Sequence, residues 1–322
     1  MAIVLVAVVL VGVAAIGLSR LGHSQPATNA GAAPTTTFTL EPATTTTSPT
    51  RTTQRTTTPP PTTTSSSRRA STTSPPPTST QPAGPRSVAK LGDNPLFEVG
   101  GLPATNCRLS RWTTDPAGAE RFFRSALPCL DAAWEPVLKA AGLPFSSPSL
   151  AFPGGSTWNS PCGSEDAASG RVAAFYCPMN NTVYMPFSAI QTDLYGAHPG
   201  VYLALFAHEY GHHVQAMSGM EDAYTRATYA ARSDDQRQEL SRRLELEAQC
   251  FSGMFLAATS GRGDVDGNIT REAQTSQDRG DHNGPPRDHG TDDHTIGWWN
   301  SGFQRNSLSQ CDTWLASSAD VA

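Results

Sequence analysis

The chain has 322 residues and a formal net charge of −5, with 23 Lys+Arg against 28 Asp+Glu. A mildly acidic chain offers no basic surface for phosphate, so nucleic acid is not expected as a partner. Its six cysteines include no Cys-x-x-Cys pair, which argues against a cysteine-built metal site.

Residues 2 to 18 are apolar without a single charge. The run falls between the roughly 20 residues of a membrane-spanning helix and the roughly 7 to 15 of a signal-peptide core. No clear small-x-small cleavage site precedes the Thr-rich stretch, and no cysteine is at hand for lipid attachment. Residues 1–20 are therefore expected to be a single-pass transmembrane anchor, with a cleaved signal segment as the alternative, and the rest of the chain outside the cell membrane. Arg20 follows the run and no positive flank precedes it, which taken alone favours the opposite orientation. The cysteines and the linker weigh more. Residues 21–87 are that linker: Thr, Ser and Pro dominate, with too little apolar surface to offset the entropy of ordering. Pro59-Pro60-Pro61 and Pro75-Pro76-Pro77 stiffen it toward polyproline II. Fully extended at about 3.1 Å per residue, it spans on the order of 200 Å. It reads as a spacer, with Thr/Ser-Pro stretches suited to O-glycosylation.

From residue 88 onward the composition is globular, about 235 residues and one sizeable core. All six cysteines lie here, and outside a reducing compartment an even number implies three disulfides. Of 15 possible pairings, the favoured one is Cys107–Cys129, Cys162–Cys177 and Cys250–Cys311.

Apolar residues at helical spacing predict a helix over 118–141, stopped by Gly142 and Pro144. Residues 171–176 and 182–186 read as two strands joined by a turn over Pro-Met-Asn-Asn. Residues 200–217 read as a helix apolar nearly all round, with Pro199 in its first turn and Gly219 past its end, which places it centrally. A second long helix is expected over 234–258, with a stripe of Leu240, Leu244, Ala248, Phe251 and Phe255. Residues 278–294 are rich in Asp, His, Gly and Pro and read as a solvated loop, with a metal site of its own as the rarer alternative. A last helix falls within 295–315, where Trp298, Trp299, Phe303 and Trp314 are packing residues.

The central helix carries His208-Glu209-Tyr210-Gly211-His212. Residues four apart share one helix face, so both imidazoles can reach one metal ion. Glu209, one residue past the first histidine, can reach a water there without binding the metal. This is the arrangement of a metallopeptidase general base. Chance gives such a run about once in a hundred chains of this length, and few chance hits fall in an apolar helix, where unpaired His and Glu are costly. A catalytic Zn²⁺ takes three protein ligands and keeps one open position. A third histidine six residues after His212 is absent, because position 218 is Ser. His213 points about 100° away and reads as a packing residue. The second long helix offers Glu245 and Glu247, on opposite sides of its stripe, and periodicity does not choose between them.

The domain resembles the neutral zinc metallopeptidase family, a zincin-like group of bacterial envelope proteins. The matching stretches are Cys162-Gly163, Phe175 to Pro178, Val183-Tyr184, His208 to Gln215, Glu245 to Cys250, His289-Gly290-Thr291 and Gln310-Cys311-Asp312. The resemblance implies an α+β, zincin-like fold, mainly helical with a small antiparallel sheet. It implies Glu245 as the third metal ligand. The family usually has Asp four residues after that Glu, where this chain has Gln249; a Gln accepts the same hydrogen bond from a ligand histidine but brings no charge. His289 is the candidate second electrophile, by resemblance and because it lies in a polar loop. The function so implied is a zinc-dependent endopeptidase acting on peptide or protein substrates. The substrate would add as an extra strand beside residues 182–185. The alternative is a metal-stabilised envelope binding module with weak or no turnover, favoured only by Gln249.

Overall fold

The computed structural model describes residues 86–169, 172–281 and 286–322. The expected anchor, and the expected linker up to residue 85, lie outside them. Among the described residues no helix is long and apolar enough to cross a membrane.

The first helix, α1 (Pro116–Ala140), starts where Asp115 caps the Gly118 N–H, and it continues through Pro128 and Pro136. Each proline removes one helical hydrogen bond, yet the buried face of Phe122, Phe123, Ala126, Leu130, Ala133 and Trp134 keeps its helical spacing. Five short strands follow: β1 (Ser149–Ala151), β2 (Thr157–Ser160), β3 (Gly163–Asp166), β4 (Phe175–Cys177) and β5 (Thr182–Tyr184). β2 and β3 form an antiparallel hairpin, and the other three form a sheet in the order β1-β5-β4.

Two expectations change here. The sheet is mixed rather than antiparallel, because β1 runs parallel to β5 while β4 runs antiparallel to it. β5 therefore has a neighbour on each side, so no substrate strand can add to it. The outer strands of this sheet are β1 and β4.

The remaining helices are α2 (Thr192–Tyr195), α3 (Pro199–Ser218), α4 (Met220–Ala230), α5 (Asp234–Thr259), α6 (Gly267–Gln274) and α7 (Asp292–Arg305). α3 is buried along almost its whole length, as its all-round apolarity requires. Gly219, at φ 86°, turns the chain straight into α4. The first turns of α5 are polar and at least partly exposed; from Arg243 to Leu256 every residue is buried, not only the expected stripe. The reason is its position between α3 and α7. An added Cβ on Gly211 of α3 would sit 3.0 Å from the Ala248 Cα of α5. On the other side, Gly253 of α5 lies against the Trp299 carbonyl, and Gly302 of α7 against that of Cys250. Ser252 Oγ donates to the Ala204 carbonyl at 2.9 Å, tying α5 to α3 at the same level. α7 begins three residues earlier than the sequence suggests, because Thr291 caps the His294 N–H. It ends at Asn306, in the left-handed region at φ 42°.

The disulfides are Cys107–Cys129, Cys162–Cys177 and Cys250–Cys311, the expected pairing. The last one ties α5, one helical turn past Glu245, to the C-terminal segment. It closes a loop of 61 residues, which stabilises the fold by about 4 kcal/mol on chain-entropy grounds.

Candidate metal centre

The middle of α3 and the middle of α5 meet at three side chains. His208 Nε2 and His212 Nε2 lie 3.2 Å apart. Glu245 Oε2 is 3.2 Å from the first and 3.5 Å from the second. All three residues are buried. An ion about 2.0–2.1 Å from each of three tetrahedral donors requires edges of about 3.3 Å between them. The N₂O triangle matches that requirement, and one apex stays open for a further ligand.

Each imidazole is turned by a glutamine. On the first side, Gln277 Nε2 donates to the Ala273 carbonyl, so its Oε1 is the acceptor for Gln249 Nε2 at 2.6 Å. Gln249 Oε1 must then accept from His208 Nδ1, at 2.9 Å. On the second side, Gln215 Nε2 donates to the Leu244 carbonyl at 2.8 Å and to Glu247 Oε2 at 2.7 Å. Its Oε1 accepts from His212 Nδ1 at 2.8 Å. Both histidines thus carry their proton on Nδ1 and aim Nε2 at Glu245, the tautomer a metal ligand needs.

The electrostatics fit a site that expects a cation. Burial is the largest influence on His208 and lowers it to about 4, against the pull of Glu245. Burial would lower His212 as well, but the Glu245 charge and hydrogen bond raise it to about 10. Burial would raise Glu245, yet the His212 and His289 charges hold it well below the usual carboxylate range. Without a metal, one proton on His212 stands where a divalent ion would supply the positive charge. Glu245 Oε1 has no hydrogen-bond partner among the described residues.

Glu209 is fully buried and differs from Glu245. Neither oxygen makes a well-formed hydrogen bond among the described residues, and the Tyr176 amide favours its charged form only weakly. Burial raises it to about 7, opposed mainly by the His212 charge. A small cavity, partly open to solvent, is lined by His208, Glu245, Gln249, Arg279, His289 and Thr295. Glu209 is not one of the six.

His289 is buried, not solvated. Its Nδ1 donates to Asp288 at 2.8 Å, and its Nε2 is 3.8 Å from Glu245 Oε2. Burial would lower it, but Glu245 and Asp288 raise it to about 9. Asp281, Asp288 and His289 also bring ligand atoms within 4.8 Å of one another. Asp281, however, already accepts the backbone N–H groups of Asp288, His289 and Gly290. These two carboxylates shape the loop that presents His289.

His213 packs edge-on against Tyr176 and Tyr210, as its position on α3 predicts. Glu247 turns away from the triangle and accepts from Gln215 and Trp314 Nε1, the latter at 2.9 Å. Sequence reasoning missed Gln215, Gln277 and Arg279 as parts of the site. Gln215 carried a usable signal: a polar residue three positions after His212 in a helix that is otherwise apolar, where an unpaired amide is costly.

Residues 109–314 match the family described as "Putative neutral zinc metallopeptidase", and the chain belongs to it. It is similar to Uncharacterized protein YpfJ of Escherichia coli, 27% identical over 209 residues, which is 61% of this chain and 71% of that protein. It is also similar to Uncharacterized protein Rv2575 of Mycobacterium tuberculosis, 26% identical over 213 residues, covering 58% of this chain and 68% of that one. No solved structure matches.

Proposed function

We propose that this chain is a zinc-dependent peptidase, with His208, His212 and Glu245 as protein ligands of the ion and Glu209 as the general base. The observation that carries this is the donor triangle, with both histidine Nδ1 protons tied down so that two Nε2 lone pairs converge beside one carboxylate oxygen. Zinc held there supplies Lewis acidity to a carbonyl oxygen and acidifies water.

The chain's own residues provide the rest. Glu209, raised to about 7 by burial, is poised near neutrality. As general base it takes the proton of the attacking water and returns it to the leaving amine. His289 Nε2 donates a hydrogen bond to the carbonyl oxygen as negative charge develops on it. β4, an outer strand of its sheet, offers the backbone edge along which a peptide can align. Three disulfides suit an oxidising compartment, in keeping with a catalytic domain held outside the membrane by the N-terminal segment.

Metal analysis beside cleavage of a mixed peptide library tests the reading. Cleavage by the zinc-loaded protein, lost by 10²-fold or more in Glu209→Gln with zinc content unchanged, supports it. A second reading, a metal-stabilised binding module without turnover, rests on Gln249: the amide orients His208 but carries no charge to raise its basicity. Zinc binding with both proteins equally inert would favour that reading.

A further inference from the structure

Arg279 is 5% exposed and lines the same cavity as His208, Glu245 and His289. Its Nε donates to the Ser276 carbonyl at 2.6 Å, and its Nη2 to the Val201 carbonyl at 3.2 Å. These neutral acceptors fix the plane of the guanidinium without balancing its charge. Among the described residues, Nη1 donates no hydrogen bond, and no carboxylate lies within ion-pair distance. Asp278 and Glu209 act on it only through space. A buried cation without a counter-ion is costly, and such a charge is retained where an anion completes it.

The fork of an arginine matches a carboxylate, and the free Nη1 edge is the part left to make that match. His289, the donor proposed for the carbonyl oxygen, lines the same cavity, so a group held by Arg279 lies beside the reacting bond. The cavity is small and partly open to solvent, which suits a compact charged group rather than a bulky apolar one.

We infer that Arg279 forms a subsite for a carboxylate of the substrate, so that preferred peptides carry an anionic group beside the bond to be cut. This rests on the peptidase reading and names its substrate class. The carboxylate comes either from the chain terminus or from an Asp or Glu side chain.

The full chain, loaded with zinc, is titrated calorimetrically with N-acetylglycine and with N-acetylglycinamide. The acid is expected to bind at least tenfold more tightly than the amide, and Arg279→Gln to remove that difference. Equal affinity for acid and amide, or no binding of either, overturns the subsite. So does an undiminished acid preference in an Arg279→Gln protein whose melting curve shows it folded, because the ion alone would then hold the carboxylate. Arg279→Gln also removes the hydrogen bonds to Ser276 and Val201; the acid–amide comparison on the unaltered chain needs no variant. A matching pair, N-acetylaspartic acid amide against N-acetylasparagine amide, separates the two sources. Preference for the aspartate derivative assigns a side chain, and preference only for N-acetylglycine assigns the chain terminus. Binding is read without turnover, so failure to cleave peptides leaves the result standing. Cleavage without any acid preference sinks the subsite and spares the peptidase reading.

Discussion

Glu209 in the middle of α3 and Glu245 in the middle of α5 are both fully buried carboxylates, yet the protein treats them oppositely. Glu245 sits between two imidazoles and is held well below its ordinary range. Glu209 has no good hydrogen-bond partner among the described residues and is raised to about 7. Two carboxylates pushed apart in this way mark different duties: one stays ionised and can hold a cation, the other can carry a proton back and forth. The helices bring the two groups together; the hydrogen bonds around each decide which is which.

The same change, Glu to Gln, is therefore expected to have opposite signs at the two sites. Glu245→Gln in the metal-free protein breaks a buried pair and leaves the His212 charge unanswered. Urea unfolding at pH 6 is expected to show a loss of about 3 to 5 kcal/mol. Because the folded pKa of Glu245 is depressed and that of His212 raised to about 10, the loss is full between the unfolded values near 4.5 and 6.5; it fades as pH falls through the folded value of Glu245 and as pH rises toward 10.

Glu209→Gln removes a group whose folded pKa is raised. Its neutral form costs nothing below pH 4.5, and the penalty for charging it builds as pH rises to about 7. The variant is expected to gain up to roughly 3 kcal/mol over the unaltered chain at pH 8, and nothing below about pH 4.5. A gain that does not depend on pH would break the contrast.

The glutamine supports sharpen it further. Gln249→Leu leaves the His208 Nδ1 proton without an acceptor, and a metal-competition titration is expected to show affinity down about 10- to 100-fold. Gln249→Asp restores a charge behind His208; it is expected to raise affinity by only a few fold, the smallest effect of the set. An Asp variant that binds metal more weakly would mean that the Gln277 contact at 2.6 Å matters more than the charge.

Much of this was legible in the sequence. Two histidines four apart inside an apolar segment announce a metal helix, and the long stretches of α1, α3 and α5 carry enough turns for their spacing to show. The choice of Glu245 over Glu247 came from resemblance; periodicity could not make it, because α5 is buried all round there. The strands of three or four residues were harder. β1 acquires its identity only by lying beside β5, more than 30 positions on, and β2 and β3 carry almost no apolar alternation. α4 and α6 are short, and α6 is mostly polar. The misreading of residues 278–294 is the most instructive. A polar composition suggested solvent, yet Arg279 and His289 are buried: the Ser276 and Val201 carbonyls hold the guanidinium in place, and Asp288 holds the imidazole at Nδ1. Composition records polarity; it does not record whether water or protein answers it.

The close crossing at Gly211 has a practical meaning for the metal. The gap between α3 and α5 is set by a hydrogen atom where any other residue has a carbon, with Ala248 directly across. The distance from the histidines to Glu245 is thus gauged by the helix backbones rather than by flexible side chains. A single methyl placed at position 211 would act like a shim, widening the mouth of the triangle and favouring larger ions over zinc, although every donor atom would remain in the chain.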